Sequence, residues 1–313
     1  RKQENRLRIR ALETFSPARS TEPPWTERTL APITRSMAKG TTTDPSSARL
    51  PFRKMHGLGN DFVVLDARSR DIMLTPASAR AVADRRAGVG CDQILIIERP
   101  RGSGDAFLAI RNSDGGEVES CGNGSRCVAK LLLDEIGKET LILETLAGPI
   151  VATRAQGALI SIDMGPARTA WQEIPLARAF DTLHLDVSEG VLHEPVGVNV
   201  GNPHSVFFVP DAAAVDLATI GPKIERHPLF PARTNVEAVE ILSRTHLRMR
   251  VWERGVGITR ACGTGACATL VAAVRRGLVD RKATVTVDGG DLEIEWRADG
   301  HVILTGSVAE VFT

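Results

Sequence analysis

Residues Glu119–Leu132 read ESCGNGSRCVAKLL, and residues Arg260–Ala273 read RACGTGACATLVAA. Both run Cys-Gly-x-Gly and then turn apolar at helical spacing, so each predicts a loop that enters a helix at its cysteine. The glycines, Gly122 and Gly124 in one and Gly263 and Gly265 in the other, allow a tight turn and leave room for something close by. A helix start also presents unpaired N–H groups and a partial positive charge. That combination suits an anion such as a carboxylate. It also favours a thiolate, drawing a cysteine from about 8.5 toward neutrality.

Working outward, the two cysteines head two copies of one plan. Asn60 in GNDFVVLD lies 61 residues before Cys121, and Asn202 in GNPHSVFFV lies 60 before Cys262. Gln93 in GCDQILIIE precedes its cysteine by 28, and Asn235 in TNVEAVEIL by 27. Asn112 and Glu253 each stand nine residues ahead, and Gly165 and Gly306 each close a strand 44 residues after. Five landmarks in one order at an offset near 141 indicate an internal duplication. DFVVLDA, QILIIE, AFLAIRN, TLILET and ALISIDM read as strands from their β-branched and apolar content. The 75–86 region, opened by Thr75 and Pro76, reads as a short capped helix. The helix after Cys121 should stop at Gly137. The expected class is α+β, with two pseudo-symmetric halves, each a mainly antiparallel sheet around a central helix, and the site in the cleft between them. The expected division is 51–168 and 169–313, joined within PARTAWQEIPLARAFD, with the last strand able to pack back on the first half.

Residues 1–50 differ. They are rich in Arg, Ser, Thr and Pro and lack apolar periodicity, so they read as a disordered extension. Glu4, Glu13, Glu22 and Glu27 argue against an organelle transit peptide, which is acid-poor, and Met37 is a plausible start. Over all 313 residues the chain is 42% hydrophobic and 25% charged, with a net charge of +1. That balance gives no reason to expect a nucleic-acid or membrane surface, and no apolar run approaches the roughly 18 residues of a span. Five cysteines with no Cys-x-x-Cys pair argue against a disulfide framework and a common zinc site. Free thiols point to the cytoplasm.

If the halves face each other, both helix starts can hold one carboxylate with a thiol on each side of the adjoining carbon. One thiolate removes a proton while the opposite thiol delivers another, and the carbon inverts. Cys121 and Cys262 are therefore the candidate acid/base pair. Cys127 and Cys267 fall inside their helices among Val, Ala and Leu and read as core, and Cys91 as a loop-packing thiol. Arg254 breaks the pseudo-symmetry, because its repeat equivalent is Ser113. An arginine fork reads a carboxylate with two parallel hydrogen bonds, so the substrate should carry a second, distal carboxylate.

The motifs KMHGLGNDFVVLD, GVGCDQ, CGNGSRCVAK, GNPH, RTNVE and ERGVGITRACGTGACA, in this order over residues 52–313, resemble the diaminopimelate epimerase family. The resemblance implies a metal-free, cofactor-independent epimerase of the lysine and peptidoglycan precursor pathway. It would convert LL- to meso-diaminopimelate as a cytoplasmic homodimer whose domains close over the substrate. It further implies that Gly122, Asn123, Gly263 and Thr264 hold the reacting carboxylate. Asn60, Gln93 and Glu253 would line the α-amino group. Asn112, Asn202, Asn235 and Arg254 would hold the distal end, with His204 in a supporting role. Ile258 departs from the glutamate usual at its position, removing one carboxylate from the loop wall. The alternative is a proline- or hydroxyproline-type racemase of the same fold, whose ring-sized substrate would not need the distal residues.

Overall fold

The computed structural model describes residues 50–313. The expected disorder of the first 49 residues lies outside that range, and the compact unit runs from Phe52 to Thr313. Its four α-helices are α1 (Pro76–Ala83), α2 (Gly122–Ile136), α3 (Leu217–Glu225) and α4 (Gly263–Arg275).

The duplication appears in the strand pairing. In the first half, Arg53–Gly57 forms an antiparallel hairpin with Asn60–Asp66, which runs parallel to Gln93–Glu98. That strand turns back antiparallel along Ala106–Asn112, which runs parallel to Thr140–Thr145. Gly148–Arg154 and Ile160–Pro166 complete an antiparallel meander. The second half repeats the same succession through Val196–Asn199, Pro203–Phe208, Asn235–Ser243, His246–Glu253, Lys282–Val287, Gly290–Trp296 and His301–Gly306. Parallel neighbours need a long crossover, and each crossover here contains one helix. Thus α1 and α3 bridge the first parallel pair of each half, and α2 and α4 the second.

The repeat-equivalent strands Ile160–Pro166 and His301–Gly306 pair antiparallel across the pseudo-dyad, where the hydroxyls of Ser161 and Thr305 lie 2.7 Å apart. The last strand, Ala309–Phe312, pairs with Arg53–Gly57.

Local chemistry explains the helices. Thr75 Oγ1 accepts from the Ser78 backbone N–H at 3.2 Å, and Pro76 occupies the first turn. α1 stops short of the expected 86 because Asp84 turns the chain, accepting from the N–H groups of Arg86 and Ala87. α2 ends at Gly137, whose φ of 67° allows its N–H to reach the Leu133 carbonyl at 3.0 Å. α2 buries Cys127, Val128, Leu132 and Leu133 against Phe62, Leu95, Leu108 and Ile110. α4 buries Cys267, Leu270 and Val271 against Met249, Val285 and Leu292.

The central strands are covered on both faces, as in sheets flanked by helices. Val239 joins the core around α4, whereas Val236 and Ala238 join a third core under α3. That third core also takes Ile174 and Leu176 from the stretch expected to hold the linker, and Leu185 and Val187 just after it. It had no counterpart in the sequence reading. Gly221-Pro222 reads as a breaker, but Pro222 lies inside α3, and Gly221 lets the helix touch Trp252, whose Cγ would lie 2.5 Å from a Cβ there. Asp216 at the cap, with Leu217, Ile220 and Ile224 on one face, was the available signal.

Candidate active site

The starts of α2 and α4 meet. The Asn123 side-chain Nδ2 donates to Asn60 Oδ1 at 3.2 Å and reaches the Ala261 carbonyl, next to Cys262, at 3.5 Å. A Cβ placed on Gly263 would lie 4.0 Å from the Gly122 Cα and 3.6 Å from Asn123 Oδ1.

Both cysteines are helix N-caps in extended backbone. Cys121 Sγ accepts from the Gly124 N–H at 3.4 Å, and Cys262 Sγ from the Gly265 N–H at 3.3 Å. The glycines serve space more than conformation. None of the four flanking the cysteines has positive φ, but a Cβ on Gly124 would strike Leu95 at 2.9 Å. One on Gly265 would press on Cys262 Sγ at 3.2 Å and Glu237 Oε1 at 3.1 Å.

The thiols are not drawn toward neutrality as the helix starts alone would suggest. Loss of water pushes Cys121 up to about 11, although the Gly124 N–H pulls the other way. It pushes Cys262 well up too, and the neighbouring Glu253 carboxyl adds to the rise. Cap and dipole contributions amount to about a kcal/mol, whereas burial moves a group by several pH units.

The remaining expected residues fall into small linked sets. Gln93 Nε2 donates to Asn112 Oδ1 at 2.9 Å, and Gln93 Oε1 is buried with no partner among the described residues. His204 Nε2 lies 2.8 Å from Asn202 Oδ1, and its Nδ1 lies 2.6 Å from Glu237 Oε1. Asn235 Oδ1 accepts from the Arg254 backbone N–H at 2.9 Å, and its Nδ2 donates to the Pro203 carbonyl at 2.9 Å. Arg254 Nη1 donates to the Ala232 carbonyl at 3.0 Å. Thr264 Oγ1 lies 3.5 Å from Cys262 Sγ. Glu253 accepts from the Thr259 hydroxyl, and burial raises its carboxyl above the ordinary value. Ile258 faces outward, 44% exposed. Its neighbour Thr259 makes the contact to Glu253, so that carboxyl does not depend on residue 258 for its partner.

Sequence reasoning missed four residues that hold this frame. Asp92 Oδ2 accepts from Asn60 Nδ2 at 2.9 Å. Glu237 backs His204, Arg126 donates to Asn123 Oδ1 at 2.8 Å, and Thr259 holds Glu253. Glu237 was legible as a charged residue on the inward face of a strand, in step with Asn235 and Val239.

Behind Asn60, Asp61 receives Lys54 Nζ at 2.5 Å and Arg85 Nη2 at 2.7 Å. Burial opposes its charge, but the hydrogen bonds from Arg85 and Lys54 prevail and hold it well below its ordinary value of 3.8. A depressed folded value means stability that is present above 3.8 and is lost as pH falls toward the folded value. Asp61→Asn should therefore cost about 1–3 kcal/mol at neutral pH. The gap to the parent protein should narrow in denaturant titrations as pH falls below 3.8. A gap independent of pH would contradict this account.

Two repeat halves, each with a thiol-capped central helix and with the two helix starts abutting, define a duplicated α+β fold. A solved hydroxyproline epimerase from Agrobacterium vitis superposes with a TM-score of 0.58 at 18% identity, covering 83% of this chain and 90% of that one. A probable proline racemase from Agrobacterium radiobacter gives 0.58 at 17%, covering 83% and 91%. Identities this low carry the fold alone.

Closer relatives resolve the family. The family model described as Diaminopimelate epimerase matches residues 52–170 and 196–311. A diaminopimelate epimerase from Rhodospirillum centenum is 57% identical over 264 residues, covering 84% of this chain and 90% of the relative. Another, from Phenylobacterium zucineum, is 53% identical over 266 residues, covering 84% and 96%. The chain belongs to the diaminopimelate epimerase family and is an isomerase. The stretch between the two matched segments supplies Ile174, Leu185 and Val187 to the third core.

Proposed function

We propose that the chain interconverts LL- and meso-2,6-diaminopimelate by passing protons through Cys121 and Cys262. The observation that carries this reading is the pairing of two N-cap thiols at repeat-equivalent positions on helix starts that abut. The halves are read as 51–168 and 169–313, each supplying one thiol. The N–H groups of Gly122, Asn123, Gly263 and Thr264 receive the reacting carboxylate. Its α-ammonium lies against Asn60, Gln93 and Glu253, and the unpartnered Gln93 Oε1 is suited to accept from it. The raised Glu253 carboxyl gains its charge most readily when that cation arrives. Asn112, Asn202, Asn235 and Arg254 hold the distal amino-acid end, with His204 fixing Asn202.

The chemistry needs one thiolate and one thiol at a time. The arriving α-ammonium favours the anionic member, while the enclosed thiols keep water from competing for the carbanion. A cytoplasmic homodimer accompanies this reading. All five cysteines are free thiols, as suits a reducing compartment. The strand Ala309–Phe312 leaves Val311 55% and Phe312 39% exposed, an apolar edge suited to a second copy. No described helix is long and apolar enough to cross a membrane.

Heavy water tests the mechanism. A thiol holds one proton, so the abstracted proton stays on the sulfur that took it while the opposite thiol delivers one exchanged with solvent. Early in the reaction, product should carry deuterium at the inverted carbon and unconverted substrate almost none, as read by mass spectrometry of the separated isomers. Protium-rich product, or equal label in both pools, would sink the two-thiol mechanism.

A further inference from the structure

Arg126 is the largest fully buried side chain among the described residues. It lies in the second turn of α2, and helical side chains lean toward the N-terminus. Its guanidinium accordingly comes back to the first turn, where Nη2 donates to Asn123 Oδ1 at 2.8 Å. Nε and Nη1 have no partner among the described residues. Two glycines make the space: a Cβ on Gly57 would come within 3.2 Å of Nη2, and one on Gly306 within 3.2 Å of Nε.

An arginine does not shed its proton to escape burial. An unpaired buried cation is strongly unfavourable, and a helix start is the wrong end of the dipole for it. Both penalties fall when an anion forms nearby, and Asn123, which Arg126 holds, lies two residues beyond Cys121.

The duplication sharpens the point. The repeat equivalent of Arg126 is Cys267, which is uncharged. Cys262 instead faces Glu253 and Glu237, the latter partly offset by His204. Cys121 also feels Glu253, and beyond Asn60 lies Asp92. Glu253 thus bears on both thiols, whereas Arg126 bears on Cys121 and Glu237 on Cys262.

We propose that Arg126 is a positioning residue for charge, the buried countercharge that directs the first thiolate to Cys121 and leaves Cys262 as the protonated partner. A site so biased is ready for the isomer whose Cα–H faces Cys121. The opposite isomer must wait for the proton to move to the other sulfur.

This inference rests on the two-thiol reading, but its test reads charge rather than turnover. Thiolate absorbance is followed against pH in Cys262→Ala, which leaves Cys121, and in Cys121→Ala, which leaves Cys262. Arg126 also bears on Cys127 and Cys267, so the signal of the remaining thiols is subtracted using the Cys121→Ala, Cys262→Ala double variant, with and without Arg126→Gln. Cys121 should titrate about one pH unit or more below Cys262. Adding Arg126→Gln should raise the Cys121 midpoint by about one unit, a tenfold loss of thiolate at a given pH, and leave Cys262 in place. Arg126→Lys should restore most of the shift. The proposal is overturned if Cys262 titrates first, or if Arg126→Gln leaves Cys121 unmoved or moves both thiols equally. The titration order needs no Arg126 variant, so it decides even where Arg126→Gln fails to fold. Activity persisting in Cys121→Ala would instead remove the two-thiol reading and leave the titration result standing.

Discussion

Replacing either Cys121 or Cys262 by alanine should lower the rate of epimerisation by roughly 10²- to 10⁴-fold, the range carried by a positioned acid or base. Each thiol also caps a helix, so each change should cost about 0.5–2 kcal/mol of stability, well short of unfolding a domain of this size. The two losses should be similar, because one proton must leave and another must arrive on opposite faces of the same carbon. Cys127→Ala is the control. Cys127 is fully buried in the α2 core, and its replacement should destabilise the protein without a comparable loss of turnover. Rates from stopped conversion assays and stabilities from denaturant titration check both halves of this expectation. A Cys121→Ala or Cys262→Ala protein turning over near the parent rate would contradict it.

The second large effect is expected at the pair formed by His204 and Glu237. Both side chains are fully buried, 2.6 Å apart, and Glu237 Oε2 has no partner among the described residues. Burial pushes the Glu237 carboxyl up, while His204 counters it. Removing one member strands the other. Glu237→Ala should therefore cost about 3–5 kcal/mol, measured by denaturant titration at neutral pH. It should also release His204 from the contact that fixes Asn202. The double replacement His204→Leu with Glu237→Leu should recover much of the stability, because no buried charge is then left alone, and none of the turnover. A cost below about 1 kcal/mol for Glu237→Ala would mean that water reaches the pair.

Much of this site was legible because its logic is local. A cysteine followed by Gly-x-Gly and an apolar helix predicts an N-cap, and Cys121 and Cys262 both accept from the N–H three residues on. The offset near 141 predicts the same strand order twice, and the pairings repeat in order. Part of what escaped was polar residues whose partners are distant in sequence. Asp92 meets Asn60 across 32 positions, and Glu237 meets His204 across 33. Ala261 offers its carbonyl to Asn123 across 138. The third core was missed for a different reason: its central helix carries an internal proline that local propensity counts against helix.

The sequence by itself determined the duplication, the capping geometry and the family, because hydrogen bonds between residues three or four apart and the spacing of repeated landmarks are written along the chain. The tertiary structure decided the electrostatics. From local chemistry alone, a thiol at a helix start should be easily ionised. Folding the two halves together takes the thiols out of water and reverses that, pushing Cys121 up to about 11 and Cys262 well above its ordinary value. It also sets Arg126 against Asn123 at the start of α2 and Glu237 near Cys262 at the start of α4, so that sites alike in sequence differ in charge. Solvation and the field of distant groups depend on what surrounds an atom in space, and local spacing along the chain carries little of that information.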